Sequence, residues 1–469
     1  MIDLLFELSK KGSNKFSMPA LDVPEVSVSA KRGTELDLPE LPEVEVMRHY
    51  TALARRVHGV EDGPYPLGSC TMKYNPKVNE MTASLEGFTG IHPLQPADTV
   101  KGCTEVLKLT HSALCAVLGM DAVSFQPAAG AHGEMTSLLV MHKYLQGIGQ
   151  TQRTKIIVPD SSHGTNPASA VAAGFEVVTI PSYPNGMVDM DALKAAVGDD
   201  TAAMMLTNPN TLGIFDKQIA EMSKVVHAAG GLMYYDGANL NAIMGWARPG
   251  DMGFDIVHVN LHKTFSTPHG GGGPGSGPIA CKKFLQAYLP YTELDYRQGV
   301  DAEKSIGKVK AFHGNFAVIV KALTYILALG AEGLKDASGK AVLNANYLFR
   351  QIASLYGEEY RHCMHEFVVS ASKAGDEYGV HALDIAKAML DEGIHPPTIY
   401  FPLIVKEAMM FEPTETESKE SIDSLAETMA KIFSVAASDP DALHAAPLNA
   451  YIGRPDEVKA AKEMKVRYN

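Results

Sequence analysis

Short apolar runs alternate with amphipathic segments through the middle of this 469-residue chain. The amphipathic segments, such as 189–198 and 218–230, have the spacing of helices. Apolar runs that are separated by helices predict a mostly parallel sheet covered on both faces, and therefore an α/β fold. After a first short strand near 122–125, the predicted strands are "KIIVP" (155–159), "EVVTIP" (176–181), "AAMMLTNPN" (202–210), "GLMYYDG" (231–237) and "DIVHVNLHK" (255–263).

The pattern changes on either side of this region. The first 60 residues are rich in Pro, Glu and Lys and lack sustained periodicity until about Val46, which predicts an extended arm that wraps another surface, followed by one helix. Beyond about residue 330, two strand-like pieces, "HEFVVS" (365–370) and "PTIYFPLIV" (397–405), lie among helical segments. We therefore predict an N-terminal arm and helix (1–60), a large α/β domain (61–330) and a smaller C-terminal α+β domain (331–469).

Composition narrows the class of protein. Hydrophobic residues make up 46% of the chain, enough for a large core, and the net charge of -13 argues against nucleic acid or an anionic membrane as a partner. No stretch approaches the roughly 20 uninterrupted apolar residues of a membrane-spanning helix, and the N-terminus has its acidic residue before its lysines, the wrong order for a signal peptide. The five cysteines form no CxxC pair. This usage is typical of reduced thiols, so we expect a cytoplasmic protein.

Residues with chemical potential follow successive predicted strands. In open parallel sheets, ligands bind at the carboxyl ends of the strands. The segment "QPAAGAHGE" (126–134) follows the first strand, and its small residues let backbone N–H groups approach an anion at a helix N-terminus. His163, Thr207, Asp236 and Lys263 follow later strands. These groups are therefore expected on one rim of the sheet.

This set of groups suits pyridoxal phosphate. Lys263 would form a Schiff base with the aldehyde, and the phosphate would rest on backbone amides near 129–132. The carboxylate of Asp236 would keep the pyridine nitrogen protonated, so that the ring accepts electrons from the substrate. The imidazole of His163 would lie on one ring face, and the small side chain of Ala238 would leave room on the other.

Each of these residues also has an ordinary structural explanation. A lone lysine beside glycines is usually solvated, Asp before Gly suits a turn, and the histidines could be hydrogen-bonded inside the domain. Their joint occurrence at successive strand ends favours the cofactor site. The run "GGGGPGSG" is not a phosphate loop of the Walker type, because the lysine precedes it, and "QPAAGAHGE" lacks dinucleotide spacing. A metal site from Asp236, His262 and His269 stays open but has no defined ligand spacing, so no metal is predicted.

Five motifs together identify a known family. "NLHKTFSTPHGGGGPGSGP", "DGANLNA", "SSHGTNPAS", "QPAAGAHGE" and "DGPYPLGSCTMKYNPK" resemble the P-proteins of the glycine cleavage system, the decarboxylating glycine dehydrogenases, and the likeness runs from about residue 30 to the end. A chain of this length with the lysine is similar to subunit 2 of the split form. The resemblance implies a fold-type-I pyridoxal-phosphate enzyme, aspartate-aminotransferase-like. Such an enzyme removes CO2 from glycine and passes the aminomethyl group to the lipoyl arm of the H-protein.

The resemblance also implies partners and site residues. The expected partner is subunit 1, in a heterodimer that doubles to α2β2. Lys263 matches the Schiff-base lysine, Asp236 the partner of the pyridine nitrogen, and His163 the stacking position. The remaining cofactor-binding candidates are Ala129, Gly130, Ala131, Ala238, Thr207 and His262.

Two matters stay open at the level of sequence. The motifs contain no arginine for the glycine carboxylate, so hydroxyl, amide or histidine donors are favoured. The segment 66–77 could line an access channel through Ser69, Thr71, Lys73 and Asn75, or form a rigid contact between the domain and the arm. The alternatives in function are another fold-type-I enzyme, such as an amino-acid decarboxylase or a hydroxymethyltransferase, and a non-catalytic scaffold subunit.

Overall fold

The computed structural model describes residues 2–13, 19–34, 36–92, 95–271, 275–291 and 299–466, so part of the predicted arm and of the glycine run lies outside the described residues. The α-helices are α1 Leu5–Leu8, α2 Glu43–Ala54, α3 Lys77–Ala83, α4 Glu86–Thr89, α5 Lys101–Leu118, α6 Gly130–Gly147, α7 Thr165–Ala172, α8 Met190–Ala196, α9 Ile219–Ala228, α10 Leu261–Thr264, α11 Phe316–Ile352, α12 Ser372–Tyr378, α13 Ala382–Asp391, α14 Lys419–Ser438, α15 Pro440–Ala445 and α16 Glu457–Lys462.

A seven-stranded sheet forms the centre of the large domain within the described residues. Its strands are β1 Ala122–Ser124, β2 Lys155–Pro159, β3 Glu176–Ile180, β4 Thr201–Thr207, β5 Leu232–Gly237, β6 Ile256–Val259 and β7 Ile279–Cys281, in the spatial order β1-β7-β6-β5-β4-β2-β3. Strands β2 to β6 are parallel, and β7 runs antiparallel to both β1 and β6. The predicted α/β fold with a mostly parallel sheet is confirmed. The short β7, which follows the glycine run, was not predicted.

The register of the central strands places the predicted site residues side by side. Thr207 at the end of β4 pairs with Asp236 on β5, and Asp236 pairs in turn with His258 on β6. The sequence pattern predicted a strand that ends at Lys263, and the structure contradicts this. The chain leaves β6 at Val259 and turns into the single helical turn α10, which carries the lysine. The parallel pairing of β6 with β5 ends at Val259, opposite Gly237.

A second sheet lies in the C-terminal part of the chain. It contains β8 Phe367–Ser370, β9 Thr398–Ile399 and β10 Ala408–Phe411 in the order β8-β10-β9, with antiparallel pairing. The strand predicted over 397–405 therefore ends early, and β10 was not predicted. Segment 66–68 joins this sheet, because Leu67 bridges to Phe411 and the backbone N–H of Gly68 donates to the carbonyl of Met410. This segment therefore packs on the small domain, although the two are far apart in the sequence.

Helix α11 connects the two hydrophobic cores. Ile319 and Ala322 pack in the core of the large domain, whereas Leu348 and Phe349 pack in the core of the small one. Gly330 interrupts the helix with a φ of 64°, a backbone conformation that glycine adopts at no steric cost. By length and composition alone, the segment Phe316–Tyr356 could cross a bilayer, but most of its buried residues belong to these two cores.

Candidate active site

The carboxylate of Asp236 is held rigidly at the end of β5. Asp236 is 2% exposed. Its Oδ2 accepts a hydrogen bond of 3.1 Å from Nδ2 of Asn166, and its Oδ1 accepts one of 3.0 Å from the backbone N–H of Ala238. Nε2 of His258 lies 3.5 Å from Oδ1, and burial lowers the pKa of that histidine despite the carboxylate. Asp236 is therefore a buried carboxylate that neutral donors orient. Such a carboxylate is suited to accept a hydrogen bond from a ligand N–H group.

Lys263 approaches the same region from α10. Its Nζ donates a hydrogen bond of 2.7 Å to the carbonyl oxygen of Ser69. The charge of Lys263 lowers the pKa of the nearby Glu134 and His163, and the charge of Asp236 raises the pKa of the same two groups. Lys263 and Asp236 thus face one common space.

The N-terminus of α6 forms a backbone anion cradle. Ala129 is the N-cap residue, and no side chain caps the helix. The first N–H groups of a helix have no partner within it, so those of Gly130 and Ala131 are available for a ligand. A Cβ on Gly130 would lie 2.4 Å from Nδ2 of Asn260, and one on Gly277 would lie 2.1 Å from the carbonyl oxygen of Ala129. At Gly277 the opposing atom is backbone, so the cradle leaves no room for a side chain there, whereas a Cβ on Gly130 would require the side chain of Asn260 to move.

His163 and Thr207 border the space between Lys263 and Asp236. The ring of His163 is exposed at the rim, 5.5 Å from the ring of Phe401, and desolvation lowers its pKa, so it is a neutral imidazole near neutral pH. Thr207 is buried, and its Oγ1 has no hydrogen-bond partner among the described residues. A buried hydroxyl without a partner is unusual and marks a place where a ligand atom would fit.

His262 lies beneath the cradle. Its Nδ1 accepts a hydrogen bond of 3.3 Å from the backbone N–H of Ser276, and its ring stands edge-on to that of His269 at 5.1 Å. Burial lowers the pKa of His262 to about 3 and that of His269 to about 4, so both rings are neutral. Among the described residues, these histidines do not meet Asp236 at a common point, as the metal alternative would require.

The segment 66–77 contacts both Lys263 and the small domain. The carbonyl oxygen of Ser69 faces the site, where it accepts the hydrogen bond from Lys263. Lys73 does not line a channel. The ammonium of Lys73 is 1% exposed and binds the carboxylate of Glu415 at 2.7 Å and the carbonyl of Thr264 at 2.7 Å. Asn75 is turned back toward the carbonyl of Lys73. The access-channel interpretation of Lys73 is therefore wrong, because its charge is neutralised inside the protein.

Several residues of this region were not singled out from the sequence. Asn166 stands three positions after His163 in one motif, so its position after a strand could have indicated it. Glu134, at the end of "QPAAGAHGE", is 4% exposed, and burial and Asp236 raise its pKa to about 8. Glu366 and Glu412 carry no local signal, because they reach the site only through the folding of the small domain.

The described residues fit pyridoxal phosphate. They offer a lysine, a buried carboxylate for a ring nitrogen, an uncapped helix N-terminus for a phosphate and an unpartnered hydroxyl in Thr207. The roles assigned to single residues stay predictions. The cofactor would take its phosphate contacts from α6 and its remaining contacts from the ends of β4 and β5 and from α10.

Comparisons with known proteins identify the family of the chain. Residues 133–272 match the aminotransferase class-V family, and residues 337–442 match the C-terminal domain of glycine dehydrogenase. The probable glycine dehydrogenase (decarboxylating) subunit 2 of Treponema denticola is 57% identical, over 100% of this chain and 98% of that protein. The protein of the same name from Caldanaerobacter subterraneus is 54% identical, over 99% of this chain and 98% of that protein.

A solved structure supports the fold. The inhibitor-bound glycine decarboxylase (P-protein) of the glycine cleavage system superposes with a TM-score of 0.71 at 21% identity, covering 85% of this chain and 92% of that one. At this identity the likeness bears on the fold alone, whereas the full-length relatives bear on the family. The chain belongs to the family of glycine dehydrogenase (decarboxylating) subunit 2.

Proposed function

We propose that this chain is the cofactor-bearing subunit of a split glycine decarboxylase, with pyridoxal phosphate attached at Lys263. The family activity is the decarboxylation of glycine. The observation that carries the residue assignment is that Asp236 and the α6 N-terminus at Gly130 both lie beside His258. The charges of Asp236 and Lys263 also both act on the pKa of His163. We further propose that the aminomethyl group is passed to the lipoyl arm of an H-protein.

The residues of the chain would divide the work. When bound, pyridoxal phosphate supplies an electron sink for the pair released as the Cα–carboxylate bond of glycine breaks. Asp236, oriented by Asn166 and the N–H of Ala238, would hold a proton on the ring nitrogen. The unpartnered hydroxyl of Thr207 would donate to a ring oxygen, and the neutral ring of His163 would cover one face.

Neutral donors would hold the glycine carboxylate. Nε2 of His269 and Oγ1 of Thr267 are buried and have no hydrogen-bond partner within the described part of the chain. Because the pKa of His269 is lowered to about 4, its contribution near neutral pH is a hydrogen bond and not a charge. This arrangement matches the prediction of histidine or hydroxyl donors, which stays a prediction.

The name of the relatives implies a subunit 1 partner. We propose that the two chains form an α2β2 assembly, in which the N-terminal arm contacts subunit 1. The arm supports this proposal, because its apolar side chains are more than half exposed: Leu21, Val23, Val26, Val28, Leu36 and Leu38. We also propose a cytoplasmic location, which the odd number of widely spaced cysteines without a CxxC pair supports.

The deciding experiment is glycine–CO2 exchange with labelled bicarbonate, by this chain with and without subunit 1 and H-protein. Borohydride reduction of the cofactor-loaded chain, followed by peptide mapping, should place the pyridoxyl group on Lys263. The Lys263→Ala variant should lose both signals. Lys282→Ala is the matched control, because Lys282 also donates to a backbone carbonyl, that of Gly119.

Other outcomes point to the alternatives. Activity on serine or glutamate without H-protein, and none on glycine, would indicate another fold-type-I enzyme. A chain that takes up no pyridoxal phosphate, and whose Lys263→Ala variant supports exchange as well as the wild type, would be a scaffold subunit.

A further inference from the structure

Two carboxyl groups of the small domain are buried side by side. Glu366 immediately precedes β8 and Glu412 immediately follows β10, and these strands are neighbours in the sheet. Both residues are 0% exposed. One carboxylate oxygen of each glutamate and a ring nitrogen of His365 lie within 4.8 Å of one another. Two carboxylates this close inside a protein cannot both ionise without a large cost, so the pair holds a proton.

These carboxyl groups hold a strained turn, Ser69-Cys70-Thr71. Oε2 of Glu366 accepts from the N–H of Ser69 at 2.7 Å, and Oε2 of Glu412 accepts from the N–H of Thr71 at 3.0 Å. Ser69 and Thr71 have φ values of 64° and 48°, in the left-handed region that residues other than glycine rarely adopt. Such conformations persist only where surrounding contacts enforce them, and the two carboxyl groups supply those contacts.

The same turn contacts Lys263. The carbonyl oxygen of Ser69 accepts the 2.7 Å hydrogen bond from Nζ of the lysine. A continuous chain of hydrogen bonds therefore runs from the small domain through the turn to the lysine of the large domain. Movement of either carboxyl group would displace the carbonyl that orients Lys263.

We propose that Glu366 and Glu412 are positioning residues, which hold the turn Ser69-Cys70-Thr71 against Lys263 and so couple the small domain to the reacting lysine. The catalytic part of this inference rests on the proposed function of Lys263, whereas the positioning of the turn does not.

The two glutamates are not equivalent. Both oxygens of Glu366 accept N–H groups, from Ser69 and from the side-chain amide of Asn239 at 2.9 Å. Oε1 of Glu412 instead faces the hydroxyl of Thr71 at 2.6 Å, and a hydroxyl can turn to accept a proton. The geometry therefore places the shared proton on Glu412 and the charge on Glu366.

The surroundings of the pair agree with one shared proton. Burial raises the pKa of both carboxyl groups, that of Glu412 to about 7, and the charge of Glu412 raises the pKa of Glu366 further. The other charged or titratable groups that face them are Lys263, Glu415, Cys70 and His365. Burial lowers the pKa of His365 to about 3, so this ring is neutral and Lys263 is the nearby cation.

The thiol of Cys70 reports on the turn directly. We would measure its alkylation by iodoacetamide in the cofactor-free protein across the neutral pH range, by peptide mapping with Cys103 as the internal reference. In Glu366→Gln, the new side-chain NH2 group must point at an N–H donor, either that of Ser69 or that of Asn239. We expect this clash to loosen the turn, so that Cys70 reacts several-fold faster. In Glu412→Gln, the amide donates to the Thr71 hydroxyl as the protonated acid does. Cys70 then keeps the reactivity that it has at low pH. It loses the change in reactivity that the ionisation of Glu412 near pH 7 causes in the wild type.

The control is Glu407→Gln, which changes a small-domain carboxylate that accepts from the N–H of Ala382. If both test variants match this control in Cys70 reactivity and in its pH dependence, the inference is wrong. Exchange assays on the loaded protein should show a lower kcat for Glu366→Gln and a flattened pH profile for Glu412→Gln. Altered Cys70 reactivity in a chain whose wild type shows no exchange would reject the proposed function but support the positioning of the turn.

Discussion

The ammonium group of Lys263 donates to the carbonyl oxygen of Ser69, which lies 194 positions earlier in the chain. Ser69 is held in turn by Glu366, 297 positions after it. The site is therefore assembled from the N-terminal segment, the large sheet and the small domain. Substitutions in each of these parts should act on it differently.

Asp236→Asn should lower glycine–CO2 exchange by roughly 10²-fold or more, because the amide cannot stabilise a protonated ring nitrogen. The chain should still take up pyridoxal phosphate, since Lys263 is intact. Exchange kinetics and the visible absorbance of the loaded protein measure the two effects. Asp255→Asn is the control, because Asp255 is a buried carboxylate that accepts from the N–H of Met233, away from the site. Equal activity of the two variants would contradict the role of Asp236.

Thr207→Val should weaken cofactor binding without destabilising the cofactor-free chain. The hydroxyl of Thr207 is buried and has no partner among the described residues, so its removal relieves a desolvation cost. Thr211→Val is a matched control, since its hydroxyl donates to the carbonyl of Ser161 at 2.6 Å. That variant should lose about 1 kcal/mol of stability and keep its affinity. Cofactor titration and urea unfolding separate the two; unchanged affinity of Thr207→Val would argue against a ligand contact.

Gly277→Ala should disrupt the anion cradle. The new Cβ would lie 2.1 Å from the carbonyl oxygen of Ala129, so backbone must shift, at a cost of about 1–3 kcal/mol. Affinity for pyridoxal phosphate should fall with it. Gly164→Ala is the control, because a Cβ there meets nothing within 4 Å. Equal affinities for both variants would place the phosphate elsewhere.

Lys73→Met should destabilise the fold by about 3–5 kcal/mol, because it leaves the buried carboxylate of Glu415 without its cation. Adding Glu415→Gln should recover much of this loss. The surface pair Lys77 and Glu61 offers the control, since its side chains are 62% and 54% exposed. Lys77→Met should change the free energy of unfolding by no more than about 0.5 kcal/mol. Urea unfolding measures all three, and a similar loss for both single lysine variants would contradict burial of the pair.

Stability should fall as the pH rises through neutrality, partly because of Glu412. Its pKa is raised from 4.5 to about 7 by burial, so the native state holds a proton that the unfolded chain has released. The contribution is fully present below pH 4.5 and is lost as the pH rises through about 7, on the order of 3 kcal/mol in all. In Glu412→Gln, the free energy of unfolding should decline less between pH 4.5 and about 7, which unfolding experiments below and above this range would measure. An unchanged decline in that variant would exclude Glu412 as its source.

Local pattern was enough to locate most elements of the large sheet. Strands β2, β4 and β5 are buried along nearly their whole length because both faces are covered, and this apolar signal survives without any tertiary information. The unpredicted strands β7 and β10 span three and four residues and follow glycine- or proline-containing segments. Runs this short carry too little periodicity to stand out.

The sequence by itself determined the fold class and predicted one rim for Asp236, His163 and Lys263, because the carboxyl ends of strands in a parallel sheet lie along one edge. The tertiary structure alone decided what surrounds the lysine. It buried Lys73 against Glu415, and it brought Glu366 and Glu412 to the turn at Ser69. Long-range contacts of this kind depend on how two domains pack, and no local spacing of residue types encodes them.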